Sequence, residues 1–430
     1  MSAGFTLIFF FGNYIFTKSY IRRGGKLVTM EVAKLAAVFL IIIVILWIKR
    51  PLYQAVLAGI AASIILFGIS AFQSVRLFAD VVTSWKSMSI LFVFYFITFL
   101  QRILEKRSQI KLAQKDLNRI FNNRRINASI APFFIGLLPS AAAMILCGDI
   151  VKESSEGYLD TKEQAFVANW YRHIPESTLP TYPGVILMST LAGVALSEFI
   201  VGMIIPVITL AILGYIYLRK LPKDTGNEEK STNKLKDVFM LFGHLWSLLT
   251  VIFLIIAFKL STLLSVFIVI IASILIYKLK WTELRPLFKG AIEPKMLGNM
   301  FLVLVLKEFI TYTGTIYMLP DFFSMLPIPM YMIFSLLFFF GCLITGSSGI
   351  IALGTTLAFT AIPDGGMPLM VLLMCICHGA SLLSPTHVCL VIISDYFNIT
   401  LGELIGKTLP IVLAFCILMM GYYNILLLLS

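Results

Sequence analysis

The chain has 430 residues, of which 59% are hydrophobic and 13% are charged, and its net charge is +12. Soluble domains contain roughly 25% charged residues, so the composition excludes a soluble globular protein and indicates an all-α polytopic membrane protein. The long apolar segments also exclude an outer-membrane barrel, whose strands alternate over short distances.

Residues 1–29 combine a short apolar stretch with basic residues, and we expect an N-terminal extension or an extra short helix there. Beyond it, a series of apolar segments is long enough to span a bilayer. In chain order they cover residues 31–48, 52–70, 88–105, 184–200, 200–218, 238–257, 260–277, 296–317, 328–344, 368–396 and 404–427. Lys and Arg gather in loops, which accounts for the net charge without a nucleic-acid partner.

The chain repeats itself with an offset of 205 residues. FFIGLL at 133–138 corresponds to FFFGCL at 338–343, and His173 and His378 are each followed at the same distance by a Pro-Thr pair. The offset predicts a first repeat over 30–218, a cytoplasmic linker over 219–236 and a second repeat over 237–430. Duplicated apolar chains with matching helix breaks are typical of secondary transporters.

The charge of the loops predicts the topology. Basic residues crowd the loops at 106–128 and 219–236, so both loops are expected in the cytoplasm. Three apolar segments separate them, whereas an even number of crossings is required. Residues 129–151 are the segment that need not cross, because Gly136 to Ser140 divide it into two arms. Each arm has about ten residues and rises about 15 Å, half of a ~30 Å hydrocarbon core, which predicts a re-entrant hairpin.

With one such hairpin, each repeat crosses five times, and the two repeats must be inverted relative to each other. The loop at 278–295 is then also cytoplasmic, in agreement with its basic residues. The offset places a second hairpin tip at 343–349. The predicted fold is therefore two inverted repeats of five transmembrane helices, each with one re-entrant hairpin and one helix broken at the midplane.

The two hairpin tips are candidate substrate-binding sites, because backbone N–H groups at helix N-termini favour anions. Their hydroxyl and glycine residues are Ser140 in the first tip and Thr345, Ser347, Ser348 and Gly349 in the second. The alternative is that small residues here only allow helices to pack closely.

The segment at 161–197 is too long for one straight span, and proline-containing stretches interrupt it at 177–183 and its counterpart at 381–387. Proline removes a helix donor and leaves carbonyls free to coordinate a cation, so Pro180 and Pro385 are candidates for a coupling-ion site. Hydroxyl and imidazole groups beside them are candidates for substrate contact: Thr181, Tyr182, Ser384, Thr386 and His387. A simple proline kink is the alternative.

Titratable residues near these breaks suggest ion coupling. His173 and His378 are candidates for a proton relay, since an intramembrane histidine titrates near neutral pH, although a neutral core histidine is the alternative. Arg172 is a candidate carboxylate clamp or a cytoplasmic interface residue. Asp149 is expected to pair with Arg172 or to bind a coupling cation.

Three stretches resemble a known membrane family. They are Asn169-Trp170-Tyr171-Arg172-His173, the Pro-Thr-Tyr-Pro-Gly run at 180–184 and the Ser-Pro-Thr-His-Val-Cys-Leu run at 384–390. They resemble the family catalogued as domain of unknown function 401, over nearly the whole chain from about Met30. That family is grouped with the ion transporter superfamily, which includes gluconate, citrate and dicarboxylate carriers.

The resemblance implies hairpins that meet at the midplane, a dimeric scaffold, elevator-type movement and cation- or proton-coupled transport of small organic anions. The chain departs from the family at the first tip. Relatives usually have Pro-Gly-Gly there, whereas this sequence has Pro139-Ser140-Ala141-Ala142-Ala143. The added methyl groups narrow the approach to the backbone amides.

The expected function is therefore an inner-membrane, Na+- or H+-coupled carrier of a small organic anion, with the lipid bilayer and a second copy of the chain as partners. No resident cofactor, metal beyond Na+, nucleic acid or enzymatic activity is expected, since no catalytic motif occurs. Segment 88–105 and its counterpart are expected to move with the hairpins. The alternatives are a channel, a lipid-translocating protein or, with weaker support, an intramembrane enzyme using His387 and Ser384.

Overall fold

The computed structural model describes residues 22–23, 26–48, 50–109, 112–113, 115–116, 120, 123–137, 142–223, 233–318, 327–385 and 387–429. Helices dominate these ranges, beside one antiparallel ladder of two-residue strands, β1 Arg22–Arg23 and β2 Lys26–Leu27. The prediction of an all-α fold is confirmed. The helix expected within 1–29 falls mostly outside the described residues, as do Ser140 and Thr386.

The first half has ten helices among the described residues. They are α1 Val28–Trp47, α2 Leu52–Phe67, α3 Ala71–Thr83, α4 Trp85–Lys106, α5 Arg124–Ile135, α6 Ala142–Ser155, α7 Thr161–His173, α8 Pro183–Ala192, α9 Leu196–Gly202 and α10 Ile204–Leu218. A 3-10 turn, Ile174–Ser177, extends α7.

The second half has eight helices among the described residues. It contains α11 Lys234–Ala257, α12 Thr262–Ile276, α13 Trp281–Ala291, α14 Pro294–Tyr312, α15 Met330–Ala361, α16 Gly366–Ser381, α17 Val388–Tyr396 and α18 Leu401–Leu429. Two 3-10 turns, Thr315–Met318 and Pro363–Gly365, flank α15.

Six helical stretches of the described chain are long and apolar enough to cross a membrane. They are Ser87–Lys106, Leu196–Leu218, Leu235–Ala257, Met330–Ala361, Pro363–Ser381 and Leu401–Leu429. Three shorter helices, Leu52–Phe67, Pro183–Ala192 and Thr262–Ile276, are equally apolar in character. The protein is therefore a multi-pass helical membrane protein.

The predicted division between two spans at residue 200 is wrong. Helix α8 already ends at Ala192, because Gly193 adopts a left-handed φ of 71° and caps the helix. The chain re-enters a helix at Leu196. Helices α3 and α13 are not predicted by the apolar pattern either, because each mixes charged and apolar residues on opposite faces.

Helices α5 and α6 fold back on each other as a hairpin. The guanidinium of Arg124, in the first turn of α5, donates to the carbonyl of Ser154, in the last turn of α6, over 3.2 Å. The two ends of the hairpin thus lie at the same end of the bundle. Its tip, residues 138–141, is outside the described residues.

Helix α15 is also a hairpin, although its length alone would let it span a bilayer. Gly346 breaks the helix with φ 76° and ψ 167°. A Cβ built on Gly354 would lie 2.7 Å from the ring of Phe338. In a continuous helix these two residues would be about 24 Å apart along the axis, so the arms on either side of Gly346 run antiparallel.

The two hairpins open toward opposite ends of the bundle. Helices α9 and α10 form a continuous stretch from Leu196 to Leu218. A Cβ on Gly202, near its beginning, would meet Met367 at the start of α16, just after the second hairpin. Beyond its far end, the Leu221 carbonyl accepts a hydrogen bond of 2.7 Å from Arg125, at the start of the first hairpin. These contacts lie roughly 25 Å apart along the helix.

The helices form two packed groups. One contains both hairpins with α7–α10 and α16–α18, and the other contains α1–α4 with α11–α14. Segment 88–105 and its counterpart were expected to move with the hairpins, but as α4 and α14 they pack mainly within the second group. Phe99 of α4 stacks on Phe288 with ring centroids 4.2 Å apart, and Arg102 pairs with Glu293 at 3.0 Å.

Candidate functional site

The interruptions of two helices meet inside the hairpin group. Helix α7 ends at His173, and helix α17 begins directly after His387. Their imidazole rings lie edge to face, with centroids 4.8 Å apart and an interplanar angle of 75°. The predicted breaks at 177–183 and 381–387 match the helix ends, and the structure brings the two breaks together.

Each half-helix that follows a break packs on the hairpin of the other half. Helix α7 packs on α5 and α6, and α16 packs on α15, so each half-helix before a break contacts the hairpin of its own half. After the breaks, α8 packs on α15 and α17 packs on α6. A Cβ on Gly184 would lie 3.3 Å from Ile351, for example. This crossed packing holds both breaks beside both hairpins.

Hydroxyl groups from the breaks bond to the hairpins. The Tyr182 hydroxyl donates to the carbonyl of Gly136, at the end of the first arm of hairpin one. The Ser384 hydroxyl donates to the carbonyl of Leu343 in hairpin two over 3.3 Å. A Cβ on Gly136 would collide with the carbonyl oxygen of Arg172, so this approach requires glycine.

An ion pair between a buried arginine and a half-buried glutamate lies at the first break. Arg172 is buried, with 3% of its side chain exposed, and its Nη1 lies 3.3 Å from Oε2 of Glu176. The same carboxylate oxygen is 3.7 Å from His173 Nε2. Asp149, expected to pair with Arg172, is exposed and instead accepts a hydrogen bond of 2.5 Å from the Tyr396 hydroxyl.

Sequence reasoning missed Glu176. The signal was its position four residues after Arg172, the spacing at which oppositely charged side chains meet on a helix. Pro175 lies between the two residues and suggests that the helix has already ended, so the helical spacing was not recognised. The chain in fact continues as a 3-10 turn through Ser177.

Both histidines at the convergence donate to backbone carbonyls. Nδ1 of His173 lies 2.6 Å from the Asn169 carbonyl oxygen, and Nδ1 of His387 lies 3.1 Å from that of Ser381. His378 is buried deeper in α16, with its ring 6.4 Å from that of Phe415. Its Nε2 has no hydrogen-bond partner among the described residues.

Other predicted residues of the breaks differ in their environment. Pro180 and Thr181 are buried, and the Thr181 hydroxyl has no hydrogen-bond partner within the described parts of the chain. Pro385 is exposed. Buried hydroxyls without partners are rare in proteins, so Thr181 is a residue that a ligand or water would satisfy.

In the second tip, the Thr345 hydroxyl donates to the Gly341 carbonyl over 2.8 Å. Ser347 is half-buried and Ser348 is exposed. Gly349 is buried, and a Cβ there would lie 2.8 Å from the Thr345 side chain. Ser347 and Ser348 are therefore the tip hydroxyls with access to a ligand.

A separate cavity of about 480 Å³ opens beside α11 and α12. It is lined by Gln109, Met240, Gly243, His244, Trp246, Ile276 and Tyr277. His244 Nδ1 lies 2.6 Å from Asp116 at its edge. The cavity shares no lining residue with the breaks or the hairpins. It is therefore separate from the polar residues that converge at the breaks.

Comparisons with known proteins agree with this architecture. The family model described as "Protein of unknown function (DUF401)" matches residues 31–426. The fold is similar to that of the YdaH transporter of Alcanivorax borkumensis, with a TM-score of 0.56 and 12% sequence identity over 83% of this chain and 90% of that chain. At this identity, the similarity shows a shared fold. No curated protein matches the sequence.

Proposed function

The chain belongs to the DUF401 family, and we propose that it is a secondary transporter that moves a small organic anion across the cell inner membrane. The observation that carries this proposal is the convergence of the two broken helices, with His173 and His387 at 4.8 Å, between two hairpins that open toward opposite ends. Broken helices facing each other near mid-membrane are the usual framework of transporter substrate sites.

The two halves act as inverted repeats, 30–218 and 237–430, in a member of the ion transporter superfamily. Matching helices support this: α7 and α16 begin at Thr161 and Gly366, and α9 and α18 begin at Leu196 and Leu401. Each pair has the offset of 205 residues found in the sequence. The opposite openings of the two hairpins also fit an inverted arrangement.

The substrate is an anion held at the convergence. Arg172 supplies a buried positive charge, and a substrate carboxylate would replace Glu176 as its partner. The half-helix N-termini at Pro183 and Val388 add partial positive charge. Hydroxyl, amide and imidazole groups complete the proposed site: Ser140, Thr181, Tyr182, Thr345, Ser347, Ser348, Gly349, Ser384, Thr386 and His387.

Na+ or H+ drives the transport. Backbone carbonyls freed at Pro180 and Pro385 are proposed ligands for Na+. His173, His378 and Asp149 are the proposed proton carriers, since histidine and acidic side chains form the proton relays of membrane transporters.

The movement is of the elevator type. The group that contains both hairpins moves relative to the group formed by α1–α4 and α11–α14, which also provides the contacts of a homodimer. The separation of the helices into these two groups supports this division of labour. Segment 88–105 forms α4, so it belongs to the scaffold group and not to the moving group.

The basic loops face the cytoplasm. They meet at one end of the molecule, because Arg125 donates to the carbonyl of Leu221 over 2.7 Å and Lys106 pairs with Glu283 at 2.9 Å. The positive-inside rule makes that end cytoplasmic. The proposed cytoplasmic loops are 106–128, 219–236 and 278–295.

Uptake of labelled carboxylates into proteoliposomes, under separate Na+ and pH gradients, tests the proposal. Accumulation that depends on one gradient is expected. Equilibration without accumulation would instead identify a channel, and lipid movement a lipid-translocating protein. Conversion of the substrate would reveal an enzyme, which we do not expect because the Ser384 hydroxyl donates its hydrogen to a backbone carbonyl.

A further inference from the structure

Three metal-ligating side chains converge where the two breaks meet. One ring nitrogen from each of His173 and His387 and the Sγ atom of Cys389 lie within 4.8 Å of one another. His173 ends α7 in the first half, whereas His387 and Cys389 flank the start of α17 in the second. In a tetrahedral zinc site with bonds of ~2.0–2.3 Å, ligand atoms are roughly 3.3–3.8 Å apart. Side-chain movements of about 1 Å would bring the three ligand atoms into contact with one ion.

Both imidazoles are oriented as metal ligands are. Each places Nδ1 against a backbone carbonyl, that of Asn169 for His173 and that of Ser381 for His387. Because a carbonyl only accepts hydrogen bonds, each Nδ1 carries the hydrogen and each Nε2 keeps its lone pair. Metal-binding histidines almost always make such an outer hydrogen bond, which fixes the tautomer and the ring.

A buried atom at this place lacks a partner. Nε2 of His173 is enclosed and has no hydrogen-bond partner among the residues that the structure describes. The histidine itself has 0% exposure. A lone pair that is buried and unbonded in this way is satisfied when it coordinates a cation.

The charges around the cluster decide which cation fits. Oε2 of Glu176 lies 3.7 Å from His173 Nε2 and places a negative charge beside the cluster, outside the group of three ligand atoms. Arg172, 3.3 Å from that carboxylate, opposes a cation. A divalent ion is therefore favoured only with the Cys389 thiol deprotonated, because thiolate and carboxylate together offset its charge. Imidazole and thiolate ligands select d-block ions over Na+ and Mg2+, which prefer oxygen.

We propose that His173, His387 and Cys389 form a binding site for a divalent transition-metal ion of the Zn2+ class. The bound ion joins the end of α7 to the start of α17 and thus links the two halves of the chain across the substrate region. The site shares His173 with the proposed proton carriers and His387 with the proposed substrate site, whereas the proposed Na+ ligands are the backbone carbonyls freed at Pro180 and Pro385.

Co2+ titration of the purified full-length protein in detergent tests the site, since a cobalt–thiolate bond gives a charge-transfer absorption. The wild-type protein is expected to show this band, to lose it when Zn2+ displaces Co2+, and to melt at a higher temperature with Zn2+. Cys389→Ser is expected to abolish the band. His387→Ala and His173→Ala are expected to abolish the Zn2+-dependent rise in melting temperature.

Two matched variants serve as controls. Cys416→Ser removes a buried cysteine of α18 outside the cluster, and His244→Ala removes a histidine of the other helix group. Both are expected to keep the band and the thermal shift. The proposal is overturned if the wild-type protein shows no thiolate band, or if the band survives in Cys389→Ser. If a variant fails to fold, absence of the band in the wild-type protein still overturns the proposal.

These readouts need neither a gradient nor a substrate. Absence of metal binding would leave the proposed transport untouched, and absence of carboxylate uptake would leave the metal site untouched. The two proposals therefore fail independently.

Discussion

Tyr396, the last residue of α17 in the second half, contacts Asp149 in the hairpin of the first half. The Tyr396 hydroxyl donates to the Asp149 carboxylate over 2.5 Å, across 247 residues of sequence. Beside this bond, the tyrosine ring lies so close to the backbone of Gly148 that a Cβ there would be 2.8 Å from it. Helix α17 is thereby fixed against α6.

Replacing Gly148 with alanine is expected to push α17 away from α6. Overpacking of this kind destabilises proteins by about 1–3 kcal/mol, and the change also displaces His387, so both the melting temperature and uptake should fall. Thermal melting in detergent and proteoliposome uptake measure the two effects. Gly406→Ala is the control, because a Cβ there would meet no atom of the described residues within 4 Å. Equal melting temperatures and equal uptake in Gly148→Ala and Gly406→Ala would contradict the close contact between Tyr396 and Gly148.

The fold-back of α15 can be trapped by a disulfide. A Cβ on Gly341 would lie 3.6 Å from the Cβ of Ile350, within the ~3.5–4.5 Å that a disulfide requires. The double variant Gly341→Cys/Ile350→Cys should therefore cross-link under mild oxidation, as detected by loss of thiol labelling in the denatured chain.

The control pair for this experiment is Met332→Cys/Gly341→Cys, which has the same sequence separation but lies within one arm. Its residues are about 13 Å apart along the helix and should not cross-link. Failure of the first pair, or equal cross-linking of both, would mean that α15 is not a hairpin.

Gly346→Ala is expected to strain the tip of the second hairpin. With φ 76° and ψ 167°, Gly346 occupies a region that is essentially restricted to glycine, and forcing another residue into it costs about 1–3 kcal/mol. Among the described residues, no atom lies within 4 Å of the added methyl group, so the expected strain comes from the backbone conformation.

The Gly346 variant should melt at a lower temperature than Gly402→Ala, which also adds a methyl group in open space but without a left-handed φ. Calorimetry or fluorescence-monitored melting distinguishes the two. Identical melting temperatures would show that the tip does not depend on this conformation.

Removing the charge of Arg172 is expected to weaken anion uptake. Hydrogen bonds to charged groups contribute about 1.5–3 kcal/mol, so Arg172→Gln should raise the KM for a carboxylate roughly 10- to 100-fold. The measurement is the concentration dependence of initial uptake rates.

Arg102→Gln provides the comparison, since Arg102 forms exposed ion pairs in the other helix group, where such pairs contribute about 0–1 kcal/mol. Its KM should stay unchanged. An unaltered KM in Arg172→Gln would remove Arg172 from the substrate site.

The sequence predicted the features that depend on local chemistry. Gly136, Pro180 and Pro385 mark places where a helix cannot continue, and the helices of the structure end near them. Because the repeat has a constant offset, a break found in one half predicted the position of the corresponding break in the other half. Helix type and break positions therefore followed from backbone constraints that a single residue imposes.

Packing partners were not predictable in this way. Nothing local to Gly148 or Tyr396 indicates that they meet, and the apolar surface of α4 fits the scaffold as well as the hairpins by composition. Glu176 was overlooked because the 3-10 turn after Pro175 keeps it near Arg172, a geometry that depends on the fold around it. These features depend on contacts between distant segments.

The exchange of hairpins between the two halves also bears on how the protein is made. When α6 and α8 leave the ribosome, the surfaces that they will cover, α17 and the second hairpin, have not yet been synthesised. Until those segments are made, α6 and α8 lack their packing partners. The packing of both halves is completed only when the second hairpin and α17 have inserted. A chain built in this way assembles its centre last.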